Sequence, residues 1–157
     1  MALPTIVPVG FAGNRTDFLK AKVSRDGGSF VNRSSVSVPS GTVVTTIVGL
    51  IPFQAGATVS VPALSVVFAA LGASVTASIG VFYEDAANTD VPALFASAIT
   101  TPAAGGVSTI TPSATNLAFV APGNGWIAVT LAGATTGSTG SITSQAVVNC
   151  FNGGVQA

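Results

Sequence analysis

The residues best suited by type and spacing to do chemistry lie in "EDAANTD", residues 84–90, which holds Glu84, Asp85 and Asp90. Asp85, Asn88 and Asp90 offer hard oxygen donors of the kind a cation such as Ca²⁺ prefers. Their spacing departs from an EF-hand loop, which alternates its acids about a central glycine. A solvated loop with Asp90 at the start of a short helix accounts for the same residues. Glu84 and Asp85 do not make a glycosidase pair, because neighbours on a strand point to opposite faces and such a pair must converge on one bond. "GNGWIA", residues 123–128, matches G-x-G-x-x-A letter for letter. A dinucleotide site needs a strand before that match and a helix after it. Here Pro122 precedes it and an alternating run follows, so the stretch reads as a hairpin turn and no cofactor is expected.

Other catalytic parts are missing. The chain has no histidine, which removes the commonest general base and transition-metal ligand. It also has no G-x-S-x-G or S-x-x-K to activate one of its many hydroxyls. The expectation is a protein that is not an enzyme. Cys150 is the single cysteine, so no intrachain disulfide can form, and it reads as a small buried residue near a strand end. The triplets Asn14-Arg15-Thr16 and Asn32-Arg33-Ser34 match the glycosylation pattern but carry no weight without a secretory signal. "MALPTIVPVGFAGNR" lacks a cation ahead of its apolar residues and is interrupted by Pro4 and Pro8. That is not a signal-peptide pattern, and the expectation is a chain made and kept in the cytosol.

Charge is scarce and unevenly placed. Charged residues make up 6% of the chain, against roughly a quarter in ordinary soluble domains. Arg15, Lys20, Lys22, Arg25 and Arg33 are the only cations, and none follows residue 33. Serine, threonine and glycine must therefore cover much of the surface, or partners cover it. The zero net charge argues against a nucleic-acid binder, which needs a basic excess to neutralise phosphates.

The elements that would carry these residues are strands. Prolines at 52, 62, 92, 102, 112 and 122 divide the chain at intervals near ten residues, the spacing of an all-β sandwich or barrel. Strands are expected over 42–53, 57–70 (bent at Pro62), 74–84, 116–121, 125–133 and 140–151. In the run from 125, Trp126, Ala128 and Thr130 share one face and Ile127, Val129 and Leu131 the other. "VPALFASAI", opened by Pro92 after Asp90, reads as the one short helix. Residues 63–83 form an uncharged stretch long enough for a membrane span. Alternation from Ser74 to Val81, a turn at Gly72 and the lack of flanking cations argue for strands instead, so no membrane is expected.

The basic segment reads as a hairpin: "DFLKAKVS", a "RDGG" turn, and "SFVNRSSVSV" returning. Lys20 and Lys22 then share a face. They either guard an edge strand against mispairing or dock onto an acidic partner. Residues 1–15 have no pattern and read as an extended arm. The expected organisation is an arm and basic hairpin over 1–33 and, over 34–157, a single β-sandwich of about eight strands, jelly-roll or Greek-key.

"VPSGTVVTTIVGLIPFQAGATVSVPAL", "IGVFYEDAANTDVPALFASA" and "APGNGWIAVTLAG" together resemble small structural proteins of tailed bacteriophages, the head decoration or cement proteins in particular. The resemblance covers roughly residues 34–151 and rests on general pattern. It implies a homotrimer on the outside of a phage capsid, holding neighbouring major capsid subunits together. Leu3, Ile6, Val7, Phe11, Arg15, Lys20, Lys22, Arg25 and Arg33 would then make capsid or inter-subunit contacts, with arm residues ordering on a neighbour. A tail, fibre or baseplate component shares the same character. A carbohydrate- or calcium-binding module would need its site around Glu84–Asp90.

Overall fold

The computed structural model describes residues 3–7, 29–110 and 117–149. Its elements in chain order are β1 (Ser29–Val38), β2 (Ile47–Phe53), β3 (Thr58–Phe68), β4 (Thr76–Tyr83), β5 (Val91–Ile99), α1 (Thr101–Ala104), β6 (Gly106–Thr109), β7 (Ala118–Val120), β8 (Gly125–Ala132) and β9 (Gly140–Asn149). They form a sandwich of two antiparallel sheets. The first runs β1-β9-β3-β6, with β7 also on β3, and the second runs β2-β8-β4-β5. The pairing is nested: β1 with β9, β2 with β8, β3 with β6 and β7, β4 with β5. That is a long hairpin with its turn at residues 84–90, wound once into two layers, the jelly-roll arrangement.

Alternation decides which side chains meet between the layers. Ile127, Val129 and Leu131 of β8 and Ala77, Ile79 and Val81 of β4 face Val36, Val59, Val66, Phe68 and Ile142 of the first sheet in one core. One polar stitch crosses that core. The Ser34 hydroxyl donates to the Leu50 carbonyl at 2.7 Å and lies 2.9 Å from the Ser144 hydroxyl of its register partner. Leu50 sits where the β2 register shifts between Gly49 and Ile51, so a buried serine meets the carbonyl of a bulge residue.

The prolines fall where a missing N–H does least harm. Pro52 is on β2, an edge strand, and Pro92 on β5, the opposite edge of the same sheet. Pro62 lies in the gap between Ser60 and Ser65 where β3 loses register with β9. The strand's pairing is interrupted at the position where the bend is expected. Residues 63–83, long enough to read as a span, are the end of β3, a turn and β4. No helix among the described residues is long and apolar enough to cross a membrane.

Residues 91–99 overturn one expectation. The segment read as a helix is strand β5, and the helix is the single turn of α1 that follows. Pairing with β4 through shifts of register lets Leu94, Phe95, Ala96 and Ile99 reach the core. Gly80 of β4 makes room, because a Cβ there would strike the Val91 carbonyl and Pro92. Asp90 does not cap a helix; its carboxylate accepts the Tyr83 backbone N–H at 2.8 Å and closes the β4–β5 turn. Tertiary pairing has overridden a helical pattern.

Of the expected basic hairpin, "SFVNRSSVSV" is β1, in unbroken register with β9 from Ser29 to Val38. "DFLKAKVS" and its turn lie outside the described residues, as does Cys150. Position 33 falls inside β1.

At one end of the sandwich the β8–β9 loop is clamped between two others. The buried Thr136 hydroxyl accepts the Thr42 N–H at 2.9 Å and donates to the Pro39 carbonyl at 2.8 Å. Gly137 and Ser138 N–H groups both reach the Leu71 carbonyl. Thr136→Val keeps the shape and removes both side-chain bonds, leaving a partly buried N–H unpaired. It should cost about 1–3 kcal/mol, measured as a lower urea midpoint with an unchanged m-value.

Candidate functional site

The outer face of the second sheet is the least ordinary surface of the molecule. On it, Phe82 pairs with Trp126 and Gly80 with Ala128 across β4 and β8, while Gly49 of β2 stands opposite Ala128. In most sandwiches such a face is solvated. Here Trp126 is only 5% exposed, and Phe82 and Ala128 are buried, in a second small core packed by Val7 and Ile47. The cover comes from the N-terminal strap, Leu3–Val7. Ile6 bridges Val48 in parallel along the free edge of β2. Thr5 and Ile6 N–H groups donate to the Ile47 carbonyl at 2.9 and 3.3 Å, and Gly49 N–H donates to Ile6 at 2.8 Å. Pro4 rests over Gly49: a Cβ at residue 49 would lie 2.9 Å from the Pro4 Cβ and 3.0 Å from Trp126. The site therefore depends on a glycine in mid-strand, the usual mark of a close backbone approach.

Of the expected contact residues, Ile6 and Val7 thus lie against this chain's own body, and Leu3 is 47% exposed. Phe11, Arg15, Lys20, Lys22 and Arg25 lie outside the described residues. Arg33 stands exposed on β1, its Nε donating to Gln145 Oε1 at 2.8 Å across the ladder. It is the only charged side chain among the described residues on the outer face of the first sheet. Around it that face carries Ser35 paired with Thr143 and the exposed valines Val31, Val67, Val107 and Val120.

The acidic loop spends its oxygens on itself and its neighbours. Asp85 Oδ1 accepts the backbone N–H of Asn88 at 3.0 Å and its side-chain amide at 2.8 Å. Glu84 Oε1 accepts the Trp126 indole N–H at 3.3 Å. Asp90 closes the strand turn already described. Gly123 packs closely on the Asp85 and Asn88 side chains, which would have to shift to admit a Cβ there. No group of three His, Cys, Asp or Glu side chains comes together to hold a metal ion among the described residues. These residues act as turn chemistry. Burial, and then the nearby Asp85 and Asp90, hold the Tyr83 phenol above its ordinary range.

Gly49, Gly80, Trp126 and Phe82 were not singled out as site residues by the sequence. The available signal was a glycine inside each of two strand patterns, "IVGLIPF" and "TASIGVFY".

Two measurements check this geometry. Gly49→Val should displace the strap at a cost of about 1–3 kcal/mol. The single tryptophan would then emit at longer wavelength and be quenched more by acrylamide, with strand circular dichroism retained. The single tyrosine should ionise with a midpoint above 10.0, its ordinary value. Stability from the neutral phenol is full below that pH and is lost as pH rises through the raised pKa. Phenolate absorbance appearing at or below the ordinary value in the native protein would contradict the burial.

No protein-family model matches the sequence, and no curated protein does. Among solved structures, the chain is similar to one in the capsid asymmetric unit of cyanophage Pam1, with 19% identity and a TM-score of 0.54 over 80% of this chain and 87% of that one. It is similar also to a chain in the capsid of Ralstonia phage GP4, with 18% identity and a TM-score of 0.54 over 77% and 84%. The fold is one that chains of phage capsids use.

Proposed function

We propose that this protein is a structural component of a bacteriophage virion, a decoration or cement protein that binds the outside of the head and ties major capsid subunits together. The observation that carries the reading is the mutual coverage with capsid chains: most of this sandwich matches most of each neighbour. A chain of that size is one jelly roll with little added, suited to an accessory position on a lattice built by a larger subunit. Several features are consistent with that role. The outer face of the first sheet is poor in charge and mixes exposed valines with hydroxyls, the composition of a surface that gains from being covered. Arg33 stands on that face, and the other cations precede it in the chain. The face and the basic segment act as one docking surface, with Arg15, Lys20, Lys22, Arg25 and Arg33 aimed at an acidic lattice. Phe11 and Leu3 add apolar contact, and three copies assemble about a common axis.

Cryo-electron microscopy of the particle tests the position: the sandwich should appear on the head exterior between major subunits. Density in the tail or baseplate would replace this reading with a tail role. On empty heads, Lys20→Glu/Lys22→Glu/Arg33→Glu should lower occupancy about tenfold or more at low salt, with the difference shrinking as salt rises. Unchanged occupancy at low salt would remove the electrostatic part of the proposal.

A further inference from the structure

The trough beside β2 holds a segment whose bonds to the body would be the same whichever copy supplied it. We infer that Leu3–Val7 is an exchangeable strap, and that the trough of Gly49, Trp126, Phe82 and Ala128 receives the strap of a second copy of this chain.

Three observations lead there. First, the strap is held by little. Among the described residues, its hydrogen bonds to the body are three main-chain contacts with β2 and the Thr5 hydroxyl donating to the Ile47 carbonyl at 3.3 Å. All of them use the open edge of β2, which accepts an added strand from any chain that presents one. Second, the trough needs an occupant of this particular shape. Without one, Trp126 and Phe82 would stand exposed on the sheet. The gap over Gly49 fits a proline, and the residue found there is this chain's Pro4. A second copy brings the same fitted sequence, whereas an unrelated partner would have to reproduce it. Third, the connection is long. Residues 8–28 separate the strap from β1, and at about 3.3 Å per residue they can span roughly 70 Å. A compact body of this size has a radius of gyration of roughly 15 Å, so that length of chain is sufficient to reach an adjoining copy. Reciprocal exchange then links copies at the cost of no contact, since each trough loses one strap and gains another.

The inference concerns the protein alone in solution and is independent of where it sits in a virion. The test uses the full chain as Leu3→Cys/Cys150→Ser, with a benzophenone on the exposed residue 3. Isotopically light and heavy preparations are mixed, incubated and irradiated, and the cross-linked peptides are read by mass spectrometry. The expected result is light residue 3 joined to heavy peptides containing residues 47–53 or 125–132. Adding Thr5→Pro, which removes the Thr5 N–H and hydroxyl without touching the sandwich, should reduce those mixed products at least fivefold. Cross-links confined to one label, or mixed products that Thr5→Pro leaves unchanged, would overturn the exchange. A failure here would leave the proposed role on the head standing, because occupancy on heads is read separately.

Discussion

The second sheet must be covered on both faces, and most of the architecture follows from that need. Along β8, Trp126 and Ala128 are as hidden as Ile127 and Val129, although they point the opposite way. An antiparallel sheet can leave one face in water only if that face is polar enough. This one presents an indole, a phenyl ring and a row of glycine and alanine. The first sheet covers the inner face. On the outer face the strap lies across Gly49, while Val91 and Pro92 close over Gly80 at the other side. Both covers depend on missing side chains, so two glycines control how near the flanking segments can come.

The winding of the chain supplies the rest. Nested pairing brings β1 to β9 and β2 to β8, which joins residues far apart in sequence. The loops at each end must then be held by polar contacts. Thr136 and the Leu71 carbonyl do this at one end, and the 84–90 turn with Asn124 at the other. Edge-to-face ring pairs continue the second end: Tyr83 with Phe53, Phe53 with Phe119, and Phe119 with Phe95. That chain of rings connects the second sheet to β7 of the first. The acids are engaged in these turns, accepting hydrogen bonds from Asn88, Trp126 and the Tyr83 backbone.

Much of the fold could be read from residue types. The runs around β2, β3, β4, β8 and β9 were legible because β-branched residues alternate with small polar ones, and Pro62 marked the place where β3 loses register with β9. The inward set Ile127, Val129 and Leu131 was legible from period alone. The segment 91–99 was not, since Val91, Phe95 and Ile99 also suit a helix. Only the neighbouring β4, with its gap at Gly80, selects the strand. In the acidic loop, spacing reports which oxygens are near one another, and the tertiary structure adds which hydrogen bonds they accept.

What the sequence determined by itself was class and inventory: an all-β body, a charge-poor composition, cations confined to its first 33 residues, and no histidine. Those follow from composition and short-range period, which act through a residue and its immediate neighbours. Tertiary structure decided which faces are double-covered, why Gly49 must be bare, and that Leu3–Val7 lies along β2 beside Trp126. Those depend on contacts between segments distant in the chain, where packing and edge pairing outweigh any local preference.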